Sequence, residues 1–206
     1  GFVQIAGFTP WDRKPSFLKQ IALVMGQKNQ LWWDLPALET FELNRAIYEI
    51  PARTYRESLK ELVNLLEVER LLNTRVRRLS LGQRMRLELV AALLHQPKIL
   101  FLDEPTIGLD VVAQEKMRDF FLDYNRRHQA TILLTSHNMD DLIGLTKRII
   151  VVSNGEIIFD GLMTELIARY AKEKLIKIYL KKKVDYKKIE KIGKIRKIEL
   201  PEMVIS

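Results

Sequence analysis

The chain has 206 residues, 47% of them hydrophobic, and no Cys, so it can bury a core of full-domain size and carries neither disulfides nor thiolate metal sites. The longest uninterrupted apolar run is the six residues 89–94, far below the ~18–20 needed to cross a bilayer. Lys and Arg total 34 against 26 Asp and Glu, a net charge of +8, and much of the surplus falls after Ala171, where lysines alternate with Ile, Leu, Val and Tyr. Such alternation is the mark of a half-buried strand with a solvated face, and no aromatic-rich ribbon points to a polyanion site.

In chain order, residues 1–34 are mixed, with IALVMG at 21–26 the clearest buried strand. There is neither an initiator Met nor a charged-then-apolar leader at Gly1, which leads us to expect no signal peptide and a missing N-terminal stretch. Phe41, Leu43, Ile47 and Ile50 predict a helix that stops before Pro51. Tyr55, Leu59, Leu62, Val63 and Leu66 recur at i, i+4, i+7, i+8 and i+11, one face of a second helix. These lead into LSLGQRMRLEL at 79–89, where Ser80 and Gln83 have the spacing of a capping box. In the same stretch Gly82 leaves backbone uncovered at the positive end of a helix, which is also how a helix holds an anion.

After His95 the run KILFLDEP predicts a strand apolar on both faces, of the kind buried in parallel sheets. Val112 to His128 reads as a helix and TILLTSH at 131–137 as a second buried strand, together a strand–helix–strand crossover unit. RIIVVSNGEIIFDG at 148–161 predicts a hairpin turning at Asn154-Gly155. From Ala171 a small basic module of strands with a short helix is expected.

Ligands of open α/β sheets lie beyond the carboxyl ends of the strands, and Asp103, Glu104 and His137 all fall at such ends. An Asp directly after an apolar strand suits Mg²⁺, a hard cation that takes oxygen ligands and keeps several waters. A neighbouring carboxylate can polarise an attacking water, and a His on the next strand can orient that water or a γ-phosphate. Each residue alone also has a bland explanation, as a helix-start acid or a loop residue; their coincidence with LSLGQ is what points to a phosphate-hydrolysing site.

These residues resemble the nucleotide-binding subunit of ATP-binding cassette (ABC) transporters. LSLGQ is similar to the family signature Leu-Ser-Gly-Gly-Gln, ILFLDEP to its Walker B strand, IGLD at 107–110 to the D-loop, Ser136-His137 to the switch histidine, and MGQKNQLWWDLP from Met25 to the Q-loop region. The likeness runs from about residue 1 to 166, and the later tail is only weakly similar to C-terminal extensions of exporter subunits. It implies a P-loop NTPase-type α/β fold: a parallel sheet flanked by helices, with a helical subdomain at about 35–95 inside an ATPase domain spanning 1–170. A small α+β extension at 171–206 would follow, and the N-terminal strands and phosphate loop would be missing.

The resemblance also assigns roles. Glu104 becomes the general base and His137 the γ-phosphate stabiliser. Asp103 supports Mg²⁺, and Gln27 touches both metal and nucleotide and links them to the partner. Ser80, Gly82 and Gln83 cradle the phosphate of ATP held by the opposite subunit of a homodimer or paired ATPase, and Asp110 shapes the seam. Trp32 and Trp33 follow the Q-loop where the family meets its transmembrane permease, and one of the two is expected to face outward. The implied activity is ATP hydrolysis energising a membrane exporter from the cytoplasmic face of the cell membrane, with nucleic acid not expected as a partner.

Two positions depart from the pattern. Leu81 stands where the signature has Gly, so backbone approach is less free there. No GxxxxGK[ST] occurs anywhere, and the only Gly-Lys pair, Gly193-Lys194, is followed by Ile. We therefore expect truncation before Gly1, and no ATP turnover by this chain alone. Two other readings use the same residues. A non-transport ABC ATPase acting on nucleic acid or the ribosome would suit the basic charge, but the insert at 35–78 has no long heptad arm. A non-catalytic regulatory remnant would put no demand on Glu104 or His137, yet both stand in full context.

Overall fold

The structure is a computed structural model that describes residues 1–26, 28–170, 176–179, 195–199 and 202–205, with Asp140 and the last three of these segments, 176–179, 195–199 and 202–205, described in their backbone alone. The chain divides into two compact units, Gly1–Leu145 and Thr146–Ser206. Among the described residues no helix is long and apolar enough to cross a membrane.

In the first unit, β1 (Ile21–Met25), β2 (Ile99–Asp103) and β3 (Thr131–Thr135) form a parallel sheet in the order β1-β2-β3. Their register is even, Ile21 opposite Ile99 opposite Thr131 and Met25 opposite Asp103 opposite Thr135, so the three carboxyl ends finish level. Ala22 and Val24 of β1 and Leu100 and Leu102 of β2 point into the core, as the apolar runs require. The buried strand expected at 131–137 is a correction: Thr131, Leu133 and Thr135 are exposed and Ile132 and Leu134 half-buried. Strand β3 is an edge of this sheet among the described residues, and Leu133 shares an uncovered face with Leu23.

Helices α1 (Pro15–Leu18), α2 (Ala37–Ile47), α3 (Ala52–Leu65), α4 (Leu81–Leu93), α5 (Val111–His128) and α6 (Met139–Leu142) surround the sheet. Helix α3 follows its sequence pattern, burying Tyr55, Leu62 and Val63 with Leu66 just past its end. It closes in a left-handed turn at Glu67, where the Val68 amide bonds back to Val63 O at 3.1 Å. Helix α2 departs from expectation, because Ile47 is 60% exposed while Ile50 is buried outside the helix. The reversal at Glu49 turns the chain there, and the Ile50 amide bonds Arg45 O at 2.9 Å, carrying Ile50 back under the helix. Asn44 Nδ2 donates to Ala91 O at 3.0 Å, fastening α2 to α4.

Helix α4 is the hub of this core. Met85, Leu87, Leu89, Val90, Ala91 and Leu93 are buried on nearly every side of it, and the run at 89–94 lies inside the cluster shared by sheet and helices. It also buries Glu88 at 1% exposure, an acid in the middle of an apolar helix. Helix α5 packs Met117, Phe120, Phe121 and Tyr124 against the same core and connects β2 to β3, in agreement with the predicted strand–helix–strand unit.

The second unit contains the hairpin of β4 (Arg148–Ser153) and β5 (Glu156–Leu162), then α7 (Met163–Tyr170). Asn154 and Gly155 both take positive φ, as the two-residue turn demands. Arg148 holds Asp160 across the hairpin in a two-pronged pair, both contacts at 2.7 Å. An antiparallel sheet of β6 (Ile176–Tyr179), β7 (Ile195–Glu199) and β8 (Glu202–Ile205) follows, ordered β6-β8-β7. The short helix expected in the basic tail, and which lysine face is solvated, lie outside the described residues.

Candidate functional site

The level carboxyl ends of β1, β2 and β3 place a cluster of polar side chains together. Asp103 ends β2 beside Thr135, whose hydroxyl donates to Asp103 Oδ1 at 2.7 Å. The next amide, of Glu104, bonds Thr135 O and Thr135 Oγ1, each at 3.2 Å, continuing the ladder one residue beyond the strand. Glu104 takes a left-handed backbone at φ 51, which turns its carboxylate toward the loop after β3. There His137 Nδ1 meets both carboxylate oxygens at 2.8 and 2.9 Å.

This contact, through the hydrogen bond to Glu104 and its charge, holds the imidazole of His137 above its ordinary pKa, with a smaller contribution from Asp141. The pair therefore stabilises the fold below the ordinary imidazole pKa, and that contribution is lost as pH rises through the raised value. His137 is largely exposed, so a ligand can reach it.

Gly26 follows β1 and donates its amide to Asp103 O at 2.8 Å. A Cβ there would lie 2.0 Å from Glu104 O, a collision with backbone that no rotamer relieves. Gly26→Ala is expected to cost about 1–3 kcal/mol, read as a lowered urea midpoint, and to displace Glu104 from His137. Gln27, the next residue, lies outside the described residues.

A second cluster forms around the start of α4. Ser80 caps it: Ser80 Oγ accepts from the Gln83 amide at 3.3 Å, and Gln83 Oε1 accepts from the Ser80 amide at 2.9 Å, the reciprocal box expected from the sequence. Asp110 caps α5 in turn, accepting from the Ala113 amide at 2.8 Å. The two helix starts face one cleft of about 500 Å³, into which Arg86 and Lys116 also project. Leu81 rests on Gly108, where an added Cβ would be 3.0 Å from Leu81 Cδ2, and Gly108 has φ 72. A leucine at this signature position thus seals the loop 104–110 against α4. At Gly82 an added Cβ would find only ordinary contacts, 3.6 Å to Ala113 and 3.7 Å to Leu109, so the fold itself does not require glycine there.

The sequence-predicted residues therefore gather in two groups. Asp103, Glu104 and His137 meet at the strand ends; Ser80, Gly82, Gln83 and Asp110 line the cleft, which none of the first three lines. Sequence reasoning missed Thr135, Thr106, Asp141, Arg86 and Lys116. A Thr closing β3 was visible, but that it faces Asp103 depends on strand register.

Trp32 and Trp33 are 53% and 50% exposed, so both, and not one alone, face outward. The Arg84 guanidinium lies 5.8 Å from the Trp33 ring centre and covers one of its faces.

The donor set at Asp103 suits Mg²⁺: a carboxylate with a hydroxyl beside it, all oxygen, at an exposed strand end. Among the described residues no group of three or more His, Cys, Asp and Glu could hold a metal ion.

Comparison with known proteins follows the same lines. The family model described as ABC transporter matches residues 2–107, which includes Ser80, Asp103 and Glu104 and stops before Asp110 and His137. ABC transporter ATP-binding protein NatA of Bacillus subtilis (strain 168) is 27% identical over 184 residues, 89% of this chain and 74% of that protein. ABC transporter G family member 20 of Dictyostelium discoideum is 30% identical over 155 residues, 75% of this chain but only 21% of the relative. A solved structure, of the ATP binding subunit of an ABC transporter, superposes with a TM-score of 0.72 at 22% identity, over 83% of this chain and 70% of that one. At that identity the likeness establishes the fold, a parallel sheet flanked by helices.

Proposed function

The chain belongs to the ABC transporter family, and we propose that it works there as the ATP-binding and ATP-hydrolysing part of an exporter, driven by nucleotide-dependent pairing with a second ATPase subunit. The observation that carries this reading is the cluster of Asp103, Thr135, Glu104 and His137 at the level ends of three parallel strands.

In this reading Glu104 accepts the proton of the attacking water, and His137 holds Glu104 in place until a γ-phosphate oxygen takes its Nδ1 contact. Asp103, with Thr135 fixing one oxygen, offers the other to Mg²⁺. When bound, the cation neutralises charge building on the phosphates. By the family resemblance Gln27, which lies outside the described residues, is assigned to the same ligand set.

Ser80, Gly82 and Gln83 stand in a different cleft from Glu104, and this separation supports their serving the nucleotide of the opposite subunit, with Asp110 and the loop 104–110 along the seam. The bare backbone at Gly82 is reserved for that phosphate. The ATPase domain is assigned to residues 1–170 and the basic extension to 171–206. The exposed Trp32 and Trp33 meet a transmembrane permease, which keeps the subunit on the cytoplasmic face of the membrane.

Residues 1–206 contain no GxxxxGK[ST], so the lysine and amides that grip β- and γ-phosphates are not among them. Purified 1–206 is expected to bind ATP weakly and to show no Mg²⁺-dependent phosphate release; measurable turnover would overturn that part of the reading. Affinity capture from detergent-solubilised membranes tests the rest. The expected result is recovery of a polytopic membrane protein, reduced by Trp32→Ala and Trp33→Ala, whereas recovery of ribosomes or nucleic acid assigns the chain to another branch of the family.

A further inference from the structure

Asp141, on the short helix α6, is 5% exposed, and its carboxylate joins segments far apart in sequence. Its Oδ2 accepts from Thr106 Oγ1 at 2.8 Å and lies 3.3 Å from Ser136 Oγ, whose single proton it shares with Asn138 O at the same distance, while Oδ1 is buried without a partner. Thr106, itself 4% exposed, stands two residues beyond Glu104 on the loop that ends at Asp110. Ser136 directly precedes His137, and its Oγ also accepts from the Asn138 amide at 3.0 Å, which shapes the turn. A buried carboxylate with one oxygen unsatisfied is costly, and an apolar residue could fill the same volume more cheaply. What the carboxylate supplies in return is a joint between two loops that no strand pairing connects.

We propose that Asp141 is a positioning residue for the Glu104–His137 pair: by holding Thr106 and Ser136 on one oxygen, it clamps the loop that carries Glu104 to the turn that carries His137. The clamp also reaches the second cluster, because the loop it anchors runs on through Gly108, against Leu81, to the cap at Asp110. The significance of the clamp rests on the ATPase reading, but its existence does not, and it can be tested without nucleotide.

The test is NMR titration of the imidazoles in labelled 1–206, whose three histidines are told apart by His137→Gln. The groups facing His137 are Glu104 and, more weakly, Asp141. Glu104→Gln is expected to bring the His137 midpoint down toward the ordinary imidazole value. Thr106→Val removes one arm of the clamp and leaves the charge of Asp141 in place. It is expected to lower the midpoint similarly, and adding Glu104→Gln to it should then change little. Thr106→Ser keeps the hydroxyl and should titrate as the unaltered chain.

A Thr106→Val protein in which His137 titrates normally and still responds to Glu104→Gln would overturn the clamp, as would a Glu104→Gln protein with no shift. Should Thr106→Val not fold, Thr106→Ala removes the same hydroxyl with a smaller side chain and is read in the same way. Failure of the ATPase reading would appear elsewhere, as hydrolysis indifferent to Glu104, and would leave these titrations untouched.

Discussion

Glu104→Gln is expected to slow ATP hydrolysis by a factor of ~10²–10⁴ in an ATPase that combines this chain with a phosphate-binding loop, while nucleotide affinity stays within a few-fold. The amide has nearly the shape of the carboxylate but cannot take a proton from water. The backbone contacts that set the position, the Glu104 amide on Thr135 O and Oγ1, do not involve the side chain and persist. Separate measurement of single-turnover rate and of nucleotide Kd distinguishes loss of chemistry from loss of binding. Hydrolysis that survives the substitution would reduce Glu104 to a structural partner of His137.

The second large effect concerns stability and lies away from the strand ends. Burial pushes the Glu88 carboxyl from 4.5 up to about 7, against the weaker pull of Arg84. Arg84 Nε stands 3.7 Å from Oε1, near enough for charge attraction but not for a hydrogen bond, and both carboxylate oxygens are buried without a hydrogen-bond partner. Because the folded-state pKa is raised, the folded chain keeps a proton between pH 4.5 and about 7 that the unfolded chain has released. Stability from this group is therefore full below that window and falls as pH rises through it.

At ~1.36 kcal/mol per pH unit the displacement amounts to about 3 kcal/mol above the window. Glu88→Gln, neutral at every pH, is expected to match the unaltered chain in urea unfolding at pH 5 and to exceed it by about that amount at pH 8. Parallel pH profiles for the two proteins would show that Glu88 is solvated or paired in solution. Arg84 is left without an acid by this change but keeps the Trp33 face and partial access to water.

Local rules made much of the fold legible. The strands at 21–25 and 99–103, the helix face of α3, the helical span of α5, the Asn154-Gly155 turn and the Ser80–Gln83 box are properties of a few adjacent residues, and the structure follows them. What could not be read depends on who lies beside whom. TILLT, like IALVM, carries an apolar residue on each face, and only the uncovered side of the sheet exposes Leu133 and Leu23. Ile47 fits the helical period of α2, but the left-handed turn at Glu49 gives its place in the core to Ile50. Thr106, Thr135 and Asp141 have no local signature because their partners are 30 or so residues away, across strands whose register the sequence does not state. Glu88 was hidden in another way: one acid in a helix normally marks the wet face, and α4 has scarcely any.

The reciprocal cap at Ser80 and Gln83 bears on how such a subunit lets go of its ligand. An anion that uses the serine hydroxyl or the amides of this first turn displaces bonds the protein already makes to itself, so its gain is the difference between two sets of contacts rather than the whole of one. Departure is eased by the same exchange, since the two side chains refill the Ser80 and Gln83 amides. The helix start thus behaves as a latch with its own dummy key, from which an anion can leave without stranding those two donors.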